Sequence, residues 1–395
     1  MVAIHQVSVT GLAGRRKPYT CTIRPDINIF FGPNGSGKTG LLKILHAALE
    51  GTCDSLLGTR LQVATVAISD GARTSTRQLN WPEDAEEEAE LRAQYSQFGE
   101  REYRMMRRGR GAEPVEWIED DKQGTKVRRI PHRYLSISRL MTDSFTSRRR
   151  AEFGSEHEFD AIFAESLQQL WRNYTNRILS EVRAAQETGL ARILRVVLSP
   201  RSSPPIEGAI DPADAYRRVQ TFLSRQAQGG RSGHGTVTKR YMPKNLESFS
   251  SFKAEYEDDP TLRRVVNLID EVERSIEDSM KVRESLQELV SQMVMRNKEI
   301  RFTDSEIQVQ LDDGQRIGLA RLSSGEKQLL RILVETTMAN DSPVIIDEPE
   351  LSMHIDWQRR LIAGMRSVNP TAQIIVATHS PDIMANWSDE TIFRL

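Results

Sequence analysis

Residues 27–39 read INIFFGPNGSGKT. The first five are almost all apolar, as in a short buried strand. The next eight follow the pattern glycine, four residues, glycine, lysine, threonine. Glycines let successive backbone N–H groups curl around an anion. Lys38 adds a full positive charge, and a helix starting at this point adds the positive end of its dipole. Such a helix is written in GLLKILHAALEG, with apolar residues at helical spacing and Gly51 as its stop. Strand, glycine loop and helix together predict an α/β P-loop nucleotide-binding fold. Gly32, Pro33, Asn34, Gly35, Ser36, Gly37, Lys38 and Thr39 are assigned to the phosphates of ATP, with the Thr39 hydroxyl also a ligand of Mg²⁺.

Three later stretches fit around that loop. VIIDE (344–348) is an aliphatic strand ending in two acids. Carboxylates at the C-terminal end of a parallel strand lie in the crevice where such sheets bind ligands. Asp347 is therefore the second Mg²⁺ residue, and Glu348 the catalytic group that orients or deprotonates the attacking water. QIIVATHS (373–380) is another buried strand, and His379 at its end is a donor toward the γ-phosphate or the water. Lys38, Glu348 and His379 make up the catalytic set. RLSSGEKQ (321–328) opens a helix with Ser323, Ser324, Gly325 and Glu326, an N-terminus suited to an anion. The phosphate loop lies elsewhere in the chain, so this second phosphate-binding element raises the question of whose phosphate it meets.

Composition narrows the class. Hydrophobic residues are 38% and charged residues 28% of 395, enough for a core under a polar surface. Lys+Arg and Asp+Glu nearly cancel, 54 against 55, so total charge selects no partner. Two cysteines, Cys21 and Cys53, form neither a disulfide scaffold nor a metal-ligand spacing, which suits a reducing cytoplasm. No apolar run reaches the roughly 20 residues that cross a bilayer, and the N-terminus lacks a signal-peptide pattern. The expectation is a cytoplasmic protein without a membrane partner.

Three parts are expected: 1–139 and 301–395, which carry the motifs, and a mostly helical lobe at 140–300. AIHQVSV, YTCTI and INIFF read as strands, as do QVATVAI with TRQLNW, RYLSISR (133–139), and EIRF with EIQVQL. The lobe contains an amphipathic helix over 159–182 and a long one over 262–294, about 50 Å at 1.5 Å per residue. The glycine-rich 226–240 reads as a loop. An acidic stretch (83–94) and basic ones (101–111, and SRRR at 147–150) read as solvated helix and loop, or as a contact surface for nucleic acid or an acidic partner.

Taken in order, GPNGSGKT, LSSGEKQ, VIIDEPE and VATHS resemble the ATP-binding-cassette ATPases. SSGEKQ followed by DEPELSMHIDWQ is similar to the soluble RecF, SMC and OLD group of AAA proteins, rather than to transporters with LSGGQ. The resemblance covers roughly 1–75 and 300–395. It implies an ABC-type ATPase head with a helical insertion and a homodimer, or higher homo-oligomer, closed head to tail. Ser324 and Gly325 would then meet the γ-phosphate held by a second copy's Lys38, and 350–356 would run along the seam. Two elements depart from the pattern. Ser138 and Arg139 occupy the place of a lobe-bridging glutamine, and only GRRKP (14–18) stands as a base-contacting candidate. OLD-type nucleases continue into a Toprim domain, for which this sequence leaves no room. The implied function is an ATP-hydrolysing switch controlling a separate effector, a nuclease or toxin, in bacterial anti-phage defence. A RecF/SMC-like DNA-binding ATPase of repair or recombination is the alternative.

Overall fold

The computed structural model describes residues 2–56, 58–71, 73–81, 116–120, 127–136, 156–198, 210–228, 248–294 and 297–395. The acidic stretch 83–94, the basic stretches 101–111 and 147–150, Ser138, Arg139 and the segment 229–240 lie outside these residues. In chain order the strands are β1 (Ala3–Thr10), β2 (Tyr19–Thr22), β3 (Ile27–Phe31), β4 (Val63–Ser69), β5 (Thr74–Asn80), β6 (Ile118–Glu119), β7 (Arg133–Ser136), β8 (Lys298–Phe302), β9 (Ile307–Leu311), β10 (Arg316–Ile317), β11 (Val344–Asp347), β12 (Ile374–Thr378) and β13 (Ile392–Arg394). The helices are α1 (Lys38–Glu50), α2 (Glu156–Leu198), α3 (Pro212–Gln228), α4 (Phe249–Asp258), α5 (Pro260–Met293), α6 (Ser324–Met338), α7 (Ile355–Val368) and α8 (Pro381–Met384). The chain divides into two compact units, one of Met1–Trp171 with Ser285–Leu395 and one of Arg172–Glu284.

In the first unit a parallel sheet in the order β13-β3-β12-β11-β7 is faced by an antiparallel sheet in the order β2-β1-β4-β5-β6. Their alternation explains the facing: β4 and β5 bury every second residue, as a half-covered sheet does, while β11 and β12 are buried throughout. Helix α1 lies in the shared core. Its Leu41, Leu42, Ile44, Leu45 and Leu49 cluster with Ile4, Val7, Val66 and Ile68 of one sheet and Phe30, Ile345 and Ile375 of the other. Buried on both faces, α1 holds the phosphate loop from below. Gln373 ties the sheets together. Fully buried, it accepts from Ile4 N at 2.8 Å and donates to Ile4 O at 2.8 Å and Arg24 O at 2.6 Å, filling the hydrogen-bonding role of a strand residue. A small sheet, β10-β9-β8, receives Gln168 and Trp171 of α2, whose side chains donate to Ile307 O and Thr303 O.

The second unit has its own core, in which Val219 and Phe222 of α3 and Phe252 and Tyr256 of α4 pack with Val266, Ile269, Val272 and Ile276 of α5. Within it Asp270 is buried and ion-paired to Arg218 and Arg274. The amphipathic helix expected over 159–182 continues to Leu198. The extra turns follow from RAAQETGLARILRVVL, which contains one glycine and no proline, so nothing stops the helix sooner.

Candidate functional site

Register brings the motifs together. In the parallel sheet Phe31 pairs with Thr378, and Ala377 with Asp347. The loops after β3, β12 and β11 therefore leave the same edge side by side, with the β12 loop in the middle. This is the carboxyl edge at which open α/β sheets bind ligands.

The phosphate loop is shaped by positive φ at Gly35 (81°) and Gly37 (100°), where a side chain would be strained and where the backbone turns its N–H groups inward. A Cβ on Gly37 would also sit 3.1 Å from Leu12 and Ala13. Lys38 is buried, and its ammonium donates to Gly32 O at 2.7 Å and Pro33 O at 2.9 Å, so it arches back over the loop. Arg15, from the GRRKP stretch, donates to Ser36 O at 3.2 Å and braces the loop from outside. Ser36 Oγ is buried without a hydrogen-bond partner. An orphaned hydroxyl, a turned-in lysine and an N–H cradle fit a bound polyphosphate.

Thr39 Oγ1 donates to Asp347 Oδ1 at 3.2 Å, joining the loop to the acid strand. Burial pushes the Asp347 carboxyl up to about 6, and the Glu348 charge beside it adds to this against the opposing Thr39 hydrogen bond. A hydroxyl and a buried carboxylate of this kind fit a hard divalent cation such as Mg²⁺, whose charge favours the ionised acid. Glu348 has φ 51°, a left-handed backbone that is costly for a glutamate, and its side chain is about one-third exposed. Strain at this position aims the carboxylate out of the strand. His379 Nδ1 stands 3.9 Å from Glu348 Oε1, and its ring is 43% exposed.

The residue that organises this corner is Glu350, two positions beyond the acid pair. Buried beneath His379, its Oε1 accepts from Thr378 Oγ1 (2.7 Å), His379 N (2.9 Å) and Ser380 N (3.2 Å), and lies 3.0 Å from His379 Nδ1. Its Oε2 is buried without a partner. Sequence reasoning placed 350–356 on a dimer seam and did not see this carboxylate as an orienting group.

Ser323, Ser324, Gly325 and Glu326 form the N-terminus of α6, and their contacts run to other elements than the phosphate loop. Ser323 and Glu326 make a reciprocal capping box. Glu326 is buried and ion-paired with Lys298, at 2.9 Å, so its carboxylate holds the helix start rather than facing outward. Gly325 has a reason within its own chain: a Cβ there would meet Ser352 O at 2.4 Å. Gln328 of the same helix donates to Pro349 O, and Gln358 donates to Met353 O. The loop after the acids is thus gripped from α6 and α7. Ser324 remains exposed, as are Leu351 and Ile355.

With this geometry in view, residues 27–385 match the family described as "AAA domain, putative AbiEii toxin, Type IV TA system". The chain belongs to this family. Its fold is an α/β one of the P-loop type, with the glycine loop between β3 and α1. This AAA-domain protein is 30% identical over 95 residues to the "Retron Vc95 probable ATPase" of Vibrio cholerae serotype O1 biovar El Tor, covering 21% of this chain and 18% of the relative. It is 28% identical over 92 residues to the "Retron Ec83 probable ATPase" of Escherichia coli, covering 20% and 17%. The match therefore spans less than a fifth of the length of either curated relative. Among solved structures it is similar to the SMC head domain of Pyrococcus furiosus bound to the C-terminal domain of ScpA, with 12% identity, a TM-score of 0.46 and coverage of 98% and 92%. The SMC head domain of Thermotoga maritima gives 11% identity, a TM-score of 0.39 and coverage of 97% and 91%. No described helix is long and apolar enough to cross a membrane.

Proposed function

We propose that the AAA-domain protein hydrolyses ATP, that it closes head to tail on a second copy to do so, and that the closed state controls a separate nuclease or toxin in bacterial anti-phage defence. One observation carries the reading: Lys38 and Thr39 at the start of α1, Asp347 at the end of β11, and Glu348 and His379 just beyond β11 and β12 gather at one edge of the parallel sheet. The family's AbiEii description and the retron ATPases among the relatives support the defence setting. The functional organisation proposed is a head of 1–139 and 301–395 interrupted by a helical lobe over 140–300.

Lys38 and the N–H groups of 35–39 hold the phosphates, and Ser36 Oγ gains the partner it otherwise lacks. Mg²⁺, bound by Thr39 and Asp347, supplies charge neutralisation to the phosphates. Glu348 accepts the proton of the attacking water or orients it, and its strained backbone fixes where the carboxylate points. His379 donates toward the γ-phosphate, held at its backbone N–H and its ring by Glu350. Ser324, exposed at the helix start, and the backbone of Gly325 are the elements offered to a second copy's phosphate. Glu326 contributes through the cap alone.

The test is phosphate release with Mg²⁺-ATP, with Lys38→Ala as the control, followed by sizing of Glu348→Gln in ATP. Turnover in the wild type and a shift of Glu348→Gln from monomer to dimer are expected. A Glu348→Gln protein that stays monomeric at saturating ATP removes the head-to-tail mechanism. Duplex-DNA binding with a steep salt dependence moves the reading to a RecF/SMC-like ATPase of repair or recombination.

A further inference from the structure

At the far end of α1 from the phosphate loop, two histidines and a glutamate converge. His46 and Glu50 are four residues apart on one face of the helix, and His132 lies just before β7. Each offers a ligand atom, and those atoms all lie within 4.8 Å of one another. His46 Nδ1 and His132 Nε2 face each other at 2.7 Å. All three residues are half-buried, so the cluster is formed by the fold yet open to solvent species.

Neighbouring groups hold both rings in place. His132 Nδ1 donates to Ile130 O at 2.8 Å, which leaves the lone pair on Nε2 directed at His46. A backbone carbonyl in that role is the usual outer partner of a metal-bound histidine. The His46 ring stacks on Tyr134 at 4.4 Å and 10°, which sets its orientation. The last carbonyls of α1 are already occupied, Ala47 O by Gly51 N, Leu49 O by Ile130 N and Ala48 O by the buried Arg77 guanidinium, so the three side chains alone would supply the ligands. Glu50 is held meanwhile by exposed Arg129, whose Nε is 2.9 Å from Oε2.

We propose that His46, Glu50 and His132 form a binding site for a divalent transition-metal ion, zinc foremost, which clamps α1 to the start of β7. Two imidazoles and a carboxylate suit zinc's preference for nitrogen and oxygen donors in a tetrahedral array with one position left for water. Two nitrogens each 2.0–2.1 Å from a tetrahedral ion lie about 3.3 Å apart, so on binding the facing nitrogens separate from 2.7 Å and both rings turn until their lone pairs meet at the ion. On binding, His46 passes its facing proton to Nε2, so both facing nitrogens ligate while the rings stay neutral. Glu50 exchanges Arg129 for the ion.

The test uses the full chain, treated with EDTA, returned to Mg²⁺ buffer, mixed with zinc chloride and desalted before metal analysis. Cobalt substitution, read by its visible absorption, reports four-coordination. The wild type and Asp347→Asn are expected to retain one zinc per chain, which separates this site from the Mg²⁺ site. His46→Ala and His132→Ala are expected to lose it, with affinity at least about 10- to 100-fold weaker. The shape-conserving Glu50→Gln is expected to weaken binding without unfolding, as checked by circular dichroism. A wild type that holds no zinc overturns the proposal. So does zinc that survives in His132→Ala, or that is lost in Asp347→Asn alone.

Discussion

Replacing Glu350 with glutamine separates an orienting role from a merely structural one. The carboxylate lies at the bottom of the switch corner, with one oxygen taken by three or four donors and the other buried without a partner. Glutamine keeps the shape. Its amide oxygen replaces Oε1 as a neutral acceptor, which weakens the strong bonds by about 1 kcal/mol in total. Its amide N–H groups take the buried place of Oε2, and leaving them unpaired there costs about 1–3 kcal/mol. The expected loss of stability is about 3 kcal/mol, read as a lower urea midpoint at unchanged slope. Alanine would instead orphan the Thr378 Oγ1 and His379 N donors, while Ser380 N keeps Thr378 Oγ1, a loss of about 2–6 kcal/mol against a domain's 5–15, so glutamine is the informative change. In ATP turnover, a His379 freed from its carboxylate forfeits about 1.4 kcal/mol of transition-state stabilisation, so kcat is expected to fall about tenfold with KM for ATP within about twofold. A kcat unchanged within twofold alongside the predicted destabilisation refutes the orienting role. An unchanged urea midpoint refutes the burial argument beneath it.

Lys38→Ala is expected to lower fluorescent-nucleotide affinity at least about 100-fold in a folded protein, because the buried ammonium carries the loop's one full charge. Glu348→Gly is expected to abolish turnover yet raise stability by about 1 kcal/mol, read as a higher urea midpoint at unchanged slope, since glycine takes the left-handed backbone at no steric cost. With its carboxyl raised to about 6 from 3.8, Asp347 contributes stability that is present below pH 4 and lost as pH rises through 6. In EDTA, Asp347→Asn is therefore expected to be the more stable protein at pH 8, by about 1–3 kcal/mol, and to match the wild type near pH 4. Gly325→Ala is expected to push the 349–353 loop away from α6 and to destabilise by about 1–3 kcal/mol, as measured by urea unfolding.

The phosphate loop and the acid strand were legible because each is a local pattern whose chemistry needs contiguous residues. The signature stretch was half legible. Its serine and glutamate were read as phosphate contacts, whereas Ser323 and Glu326 close a capping box, and Gly325 answers to Ser352 in its own chain. Those reasons depend on what packs against α6, which no local pattern states. Glu350 was hidden for the same cause, because its partners are supplied by β12 and the loop after it, 28 to 30 residues away. His46 and His132 are 86 residues apart, and neither stands in a spacing that signals a metal. Strand neighbours were likewise beyond the sequence. Alternation marks a strand, but the order β13-β3-β12-β11-β7 follows from the way the whole core closes.

In that sheet β3, which delivers the phosphate loop, pairs on one side with β12 and on the other with β13. Both partners come far later in the chain, at Ile374–Thr378 and Ile392–Arg394. Until the ribosome has passed residue 394, INIFF is an apolar strand with two unsatisfied edges, the kind of segment that joins a stranger's sheet. Closing a chain loop of about 350 residues to reach its partner carries an entropy cost of roughly 5 kcal/mol, which only the completed core repays. A nascent chain therefore carries the nucleotide motif long before it can carry the nucleotide. In the cell the interval between those two moments belongs to chaperones, and an arrested or prematurely ended chain is an aggregation hazard rather than a half-active enzyme.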